Sequence, residues 1–165
     1  MALDQPIKLV PYDASWPARA ANEIALVEDA IDPWLAGSVE HVGSTAVPGV
    51  EAKPTIDLMA PVHDFQEARA SFTPLAEIGY VNGDHRPFLH WFCKPSPAVR
   101  TYHLFLLDLE HSEWRARLSF RDRLRSDPEA AACYVVLKRD LAARFPDDRE
   151  AYTEGKADFI SELVR

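Results

Sequence analysis

Val39-Glu-His-Val-Gly43-Ser44-Thr-Ala-Val-Pro-Gly-Val-Glu-Ala-Lys53-Pro-Thr-Ile-Asp57-Leu-Met-Ala-Pro-Val62 decides the fold of this chain. It reads as strand, loop, strand. Val39 and Val42 open a short β-run that stops at Gly43-Ser44. Small residues there let backbone N–H groups approach an anion, and the turn that follows offers a helix N-terminus. The second strand, predicted over Thr55 to Pro61, carries one acid. Asp57 lies between Ile56 and Leu58, and a carboxylate among apolar strand residues is costly to bury unpaired, so it calls for a cation.

A glycine-serine turn followed by a strand-borne aspartate resembles the signature of the nucleotidyltransferase superfamily. A closer resemblance rests on His41-Val-Gly-Ser-Thr-Ala-Val-Pro-Gly-Val50, Lys53-Pro-Thr-Ile-Asp57 and Arg100-Thr-Tyr-His103. These are similar to the GrpB family (UPF0157), which also occurs fused to dephospho-CoA kinases. The likeness runs from Tyr12-Asp13 to the C-terminus, with Phe120-Arg-Asp122, Tyr134, Lys138 and Tyr152 to Phe159 in order. The resemblance implies a nucleotidyltransferase-like α/β (α+β) fold with undefined chemistry. Two positions depart from the family habit: Phe105 stands where a second histidine is common, and Tyr102 where histidine is common.

With 165 residues the chain fits one domain, 1–165, able to bury about 70% of its unfolded surface. Its composition, 47% hydrophobic and 27% charged, is that of a soluble protein. No apolar run approaches the roughly 18 residues of a membrane span and no signal-peptide pattern opens the chain, so a cytoplasmic protein without a membrane partner is expected. Cys93 and Cys133 have no Cys-x-x-Cys spacing, which argues against a zinc or redox site. A net charge of −8 makes extended nucleic acid a poor partner. Between Val81 and Leu107, however, Arg86, Lys94 and Arg100 face Asp84 as the only acid, a basic island suited to a small anionic ligand.

In chain order, Trp16-Pro17 after Ser15 fits a first helical turn, and Ala20, Ile24, Val27 and Ile31 recur at helical spacing, predicting a helix over Ser15 to Asp32. Asp64-Phe-Gln-Glu67 resembles a capping box and predicts a helix to Glu77, with Phe65, Ala68, Phe72 and Leu75 inward. Three strands follow, near Tyr80 to Asn82, Pro87 to Cys93 and Thr101 to Leu109, completing a mixed five-stranded sheet. The last third reads as a three-helix layer: Ser112 capping a helix to Arg125, Pro128 opening one to Arg144, and Pro146 opening one to Leu163.

Nucleotidyl transfer uses divalent cations, usually Mg²⁺, held by two or three carboxylates. Two residues after Asp57, on the same side of the strand, stands Met59, a poor Mg²⁺ ligand. Asp108 is the remaining strand acid. His41, Asp57 and His103 together would suit a transition metal or proton transfer, with Asp57 and His103 as the catalytic candidates; against this, strand histidines are often hydrogen-bonded core. Gly43, Ser44 and Thr45 offer N–H and hydroxyl groups to phosphate, or serve only as turn formers. Lys53, Arg86, Lys94 and Arg100 are the anion-binding candidates. Tyr134 with Lys138 and Tyr152 with Lys156 each share a helix face at i, i+4 and could close over the sheet. The expected function is binding of a nucleotide or another small phosphate-bearing ligand, with metal-dependent transfer as its active form. The alternative is a non-catalytic ligand-binding or interaction module with a degenerate metal site.

Overall fold

A computed structural model describes residues 5–83 and 86–165. The turn expected at Asn82-Gly83-Asp84 thus lies partly outside the described residues, as does Asp84 itself. Five strands form one sheet: β1 (Glu40–Val42), β2 (Ile56–Val62), β3 (Val81–Asn82), β4 (His90–Pro95) and β5 (Arg100–Asp108), in the order β1-β2-β5-β4-β3. Only β2 and β5 run parallel; the other pairs are antiparallel, so the sheet is mixed as expected.

Period-two alternation divides the sheet into two faces. Ile56, Leu58, Ala60, Val62, Phe92, Leu104 and Leu106 pack beneath α1 (Trp16–Ile31) and α2 (Phe72–Glu77) in the main core. From α1, Ala20, Val27 and Ile31 enter this core fully buried, while Ile24 packs half-buried at its rim. Glu23 also lies on the inward stripe, where its carboxylate takes the Lys94 ammonium at 2.8 Å. The opposite face carries Asp57, Met59, His103, Phe105 and Leu107. Its far end is sealed by Val42, Met59, Leu89, Leu107 and Trp114, the last from α3 (Ser112–Ser126).

The strand expected over Pro87 to Cys93 runs from His90 to Pro95, and three helical regions also differ from the sequence reading. The stretch from Asp64 to Glu77 is not one helix: a 3-10 segment, Glu67–Ser71, precedes α2. Pro74 lies in the first turn of α2, where its missing N–H is harmless, whereas in the interior of a helix begun at Asp64 it would remove a hydrogen bond. Ser112 is not the cap of α3; the His111 ring nitrogen accepts from Glu113 N. The C-terminal layer holds four helices, because after α4 (Pro128–Arg144) the predicted last helix is split into α5 (Arg149–Glu154) and α6 (Ala157–Leu163). The split falls at Gly155, whose Cα lies so close to α4 that a Cβ would overlap Leu141. No helix among the described residues is long and apolar enough to cross a membrane.

Candidate functional site

Between the uncovered end of the second sheet face and the C-terminal helices lies a cleft of about 670 Å³, within the size range of small-molecule sites. Asp57 and His103 form its floor, the Gly43-Ser44 turn one edge, and Lys138 and Lys156 its roof from the helices.

The floor is set by register. Asp57 of β2 pairs with His103 of β5, so both side chains leave the sheet on the same side. Asp57 Oδ1 takes the His103 Nδ1–H at 3.0 Å, and the two side chains are 30% and 13% exposed. Gly43 stands at φ 75°, in the left-handed region, with its Cα turned to the carboxylate; a Cβ there would overlap Asp57 Oδ2. Glycine is therefore required at this turn by both conformation and space. Burial pushes the Asp57 carboxyl up, but the His103 hydrogen bond, with the nearby charges of Lys53 and Arg117, outweighs it and holds the group below its usual range.

The roof is cationic. Lys138 is almost wholly buried and donates to Ser44 Oγ at 3.0 Å and to the Glu51 carbonyl. Its ammonium also lies over the Tyr134 ring at 4.8 Å, and Lys156 lies over Tyr152 at 4.5 Å, so each i, i+4 pair closes on the site as a tyrosine-backed lysine. Tyr134 is pinned between Phe120 and Phe159, and its hydroxyl meets Ser44. Neither Lys138 nor Lys156 has a carboxylate within ion-pair distance among the described residues. Burial first, then the Lys156 charge, lowers the Lys138 ammonium to about 7 despite Glu51; burial and Lys53 lower Lys156 to about 8.

The remaining expected residues divide. Lys53, Arg86 and Arg100 line the cleft, Lys53 above the Tyr152 ring and Arg100 over Trp91 at 5.1 Å. Lys94 does not: it pairs with Tyr102 in the register, leaves the opposite face and meets Glu23 under α1, so the basic island is split by strand parity. His41 is likewise separated from Asp57 and His103. It pairs with Leu58, a residue of the main core, while Val42 is the one opposite Asp57. Its Nε2 is hydrogen-bonded to Thr45 Oγ1 at 2.8 Å, and burial lowers the ring to about 4. The three-residue metal set is thus not assembled, and the Thr45 hydroxyl is used internally. Arg121 serves the frame, joining α3 to Glu40 at 2.7 Å and to the His41 carbonyl.

Sequence reasoning passed over Trp91 and Arg117, which also line the cleft. Trp91 was legible only as one strand residue among several; its side is set by the β4–β5 register, which pairs it with Phe105. Arg117 belongs to a polar helix face with no distinguishing pattern, its guanidinium over Phe105 at 4.6 Å and bound to Glu113.

The model of one protein family, described as GrpB protein, matches residues 6–165. The chain belongs to the GrpB family. It is 38% identical to a UPF0157 protein of Pseudomonas aeruginosa, over 98% of this chain and 67% of that protein. A dephospho-CoA kinase of Mycolicibacterium paratuberculosis is 30% identical over 97% of this chain, which spans 46% of that enzyme. Among solved structures, the conserved protein GrpB from Enterococcus faecalis superposes with a TM-score of 0.84 at 27% identity, covering 95% of this chain and 94% of that one.

Among the described residues, the donor set at the floor of this GrpB cleft does not fit a pair of Mg²⁺ ions. Met59, on the same face as Asp57, is fully buried in the apolar seal. Asp108 pairs with Val62 at the far end of β5 and caps the turn at Glu110 N. Asp57 has one oxygen on His103 and the other against Gly43. No group of three His, Cys, Asp or Glu side chains among the described residues is placed to hold a metal.

Proposed function

We propose that this cleft binds a small phosphate-bearing ligand, with a nucleotide as the form that suits its volume, and that it does so as a binding site without two-metal chemistry. The observation that carries the reading is the roof: Lys138 is buried beside the Ser44 hydroxyl and Lys156 is half-buried near it, and neither ammonium is in ion-pair contact with a carboxylate among the described residues. Burying an ammonium without a counter-charge is unfavourable, and a phosphate placed between these lysines restores both charges at once. Lys53, Arg86 and Arg100 add positive charge at the rim. The occurrence of a similar segment within a dephospho-CoA kinase is consistent with a phosphorylated nucleotide as ligand.

The experiment is a thermal shift with inorganic pyrophosphate and with ATP, both in EDTA. At a hundredfold excess over Kd, binding raises the melting temperature by about 5 °C or more. Absence of any shift with either ligand overturns the proposal.

A further inference from the structure

His103 carries a second nitrogen that the fold leaves unused. Nδ1 is committed to Asp57, while Nε2 is buried and has no hydrogen-bond partner among the described residues. The ring stands edge-on to Trp91, with centroids 5.4 Å apart, and to Phe105 at 6.1 Å, and all three residues line the cleft. Neither aromatic neighbour offers Nε2 a partner. A buried polar atom without one is costly, and where it lines a cavity the missing partner is a group the cavity receives.

The chemistry of that group follows from the surroundings. Asp57 is held as a carboxylate, an acceptor only, so the proton between the two residues sits on Nδ1. In the neutral ring Nε2 is then an acceptor and needs a donor. A cationic donor is disfavoured, because Lys53 and Lys156 both act on Asp57 from close by. A phosphate oxygen in its place would set acceptor against acceptor. What remains is a neutral donor near the phosphates, and in a phosphorylated sugar or polyol that donor is a hydroxyl.

We propose that the ligand of this cleft is a hydroxyl-bearing phosphate ester, whose hydroxyl donates to His103 Nε2 while the lysines hold its phosphates. Asp57 is the positioning residue that fixes the ring in the Nδ1–H tautomer. The inference rests on the phosphate reading above and adds to it which side of the ligand is read by the sheet.

Three probes separate the two: tripolyphosphate, ATP and 2′,3′-dideoxy-ATP, each titrated calorimetrically into the intact protein. All three bind if the lysine roof holds phosphate. ATP binds about three- to tenfold more tightly than the dideoxy form, the effect of one neutral hydrogen bond, and His103→Phe removes that difference. A measurement on the unmodified protein covers the case in which the variant does not fold. In ¹⁵N spectra of the imidazole, ATP shifts the Nε2 resonance, and neither tripolyphosphate nor the dideoxy form does. Equal affinity for the two nucleotides, with Nε2 unmoved, overturns the hydroxyl inference and leaves the phosphate reading standing. Failure of all three probes to bind overturns both.

Discussion

The Cα of Gly43 lies against the Oδ2 of Asp57, with no room for a methyl group between the turn and the carboxylate. Because Oδ1 is bound to His103, the acid at the centre of the cleft is enclosed on both sides by its own fold. This contact ties the anion-binding turn to the strand that supplies the cleft floor. Gly43→Ala meets two penalties, a left-handed φ of 75° and overlap with the carboxylate. Denaturant unfolding is expected to show a loss of about 1–3 kcal/mol. The His103 Nδ1–H resonance should move as well, since relief of the overlap displaces Asp57.

Lys138→Met separates stability from binding. Burial holds the ammonium down at about 7 against an ordinary value of 10.5. Between those values the unfolded chain binds the proton that the folded protein has released, so this group makes ligand-free stability rise with pH from about 7 toward 10.5. Below about 7 the charged form is held in the fold at full cost. The difference in stability between Lys138→Met and the unmodified protein should therefore favour the variant most at low pH and shrink as pH rises. Affinity for pyrophosphate should fall about ten- to a hundredfold in the same variant, through loss of a charge-assisted contact.

Phosphate binding should also take up protons. An anion between Lys138 and Lys156 raises both ammoniums back toward their ordinary value, and at pH 8 the two are partly deprotonated in the free protein. Calorimetric titration of pyrophosphate in buffers of different ionisation enthalpy should report net proton uptake at pH 8. That uptake should diminish at pH 6, where both lysines are already charged.

Met59→Asp tests the degenerate metal site. The position faces the same side as Asp57 but is sealed among Val42, Leu107 and Trp114. An acid introduced there is buried without a partner, so the variant should lose about 3 kcal/mol or more in denaturant unfolding. Mg²⁺ should not restore it, because Asp57 is already engaged.

Arg100→Ala and Lys53→Ala probe the rim. Arg100 packs over Trp91 and donates to the Pro97 carbonyl, and Lys53 lies above Tyr152. Both substitutions should change the melting temperature little while weakening pyrophosphate or ATP binding by about tenfold or more.

Much of this architecture is legible in the sequence because it depends on neighbours along the chain. Helical and period-two spacing mark α1, the strands and the helical last third, and alternation alone places Met59 on the Asp57 side. The Tyr134–Lys138 pair is readable for the same reason, since four residues apart on α4 is a local distance, whereas the helix face expected for Tyr152 and Lys156 is interrupted between α5 and α6. What alternation cannot supply is which strand lies beside which, and in what register. That is decided by how the two faces bury their apolar residues across the whole sheet. The β2–β5 register brings His103 to Asp57; the β1–β2 register turns His41 away; the β4–β5 register puts Trp91 in the cleft and Lys94 under α1. Lys156 is likewise a tertiary product. Its helix breaks where Gly155 packs on Leu141 of α4, a contact between residues fourteen positions apart. The sequence by itself determined the elements, the glycine turn and the acid beyond it, because short-range sterics and spacing specify them. Only the tertiary structure decided that these meet an imidazole, a buried lysine and a half-buried one, because that depends on long-range packing of the sheet against the helices.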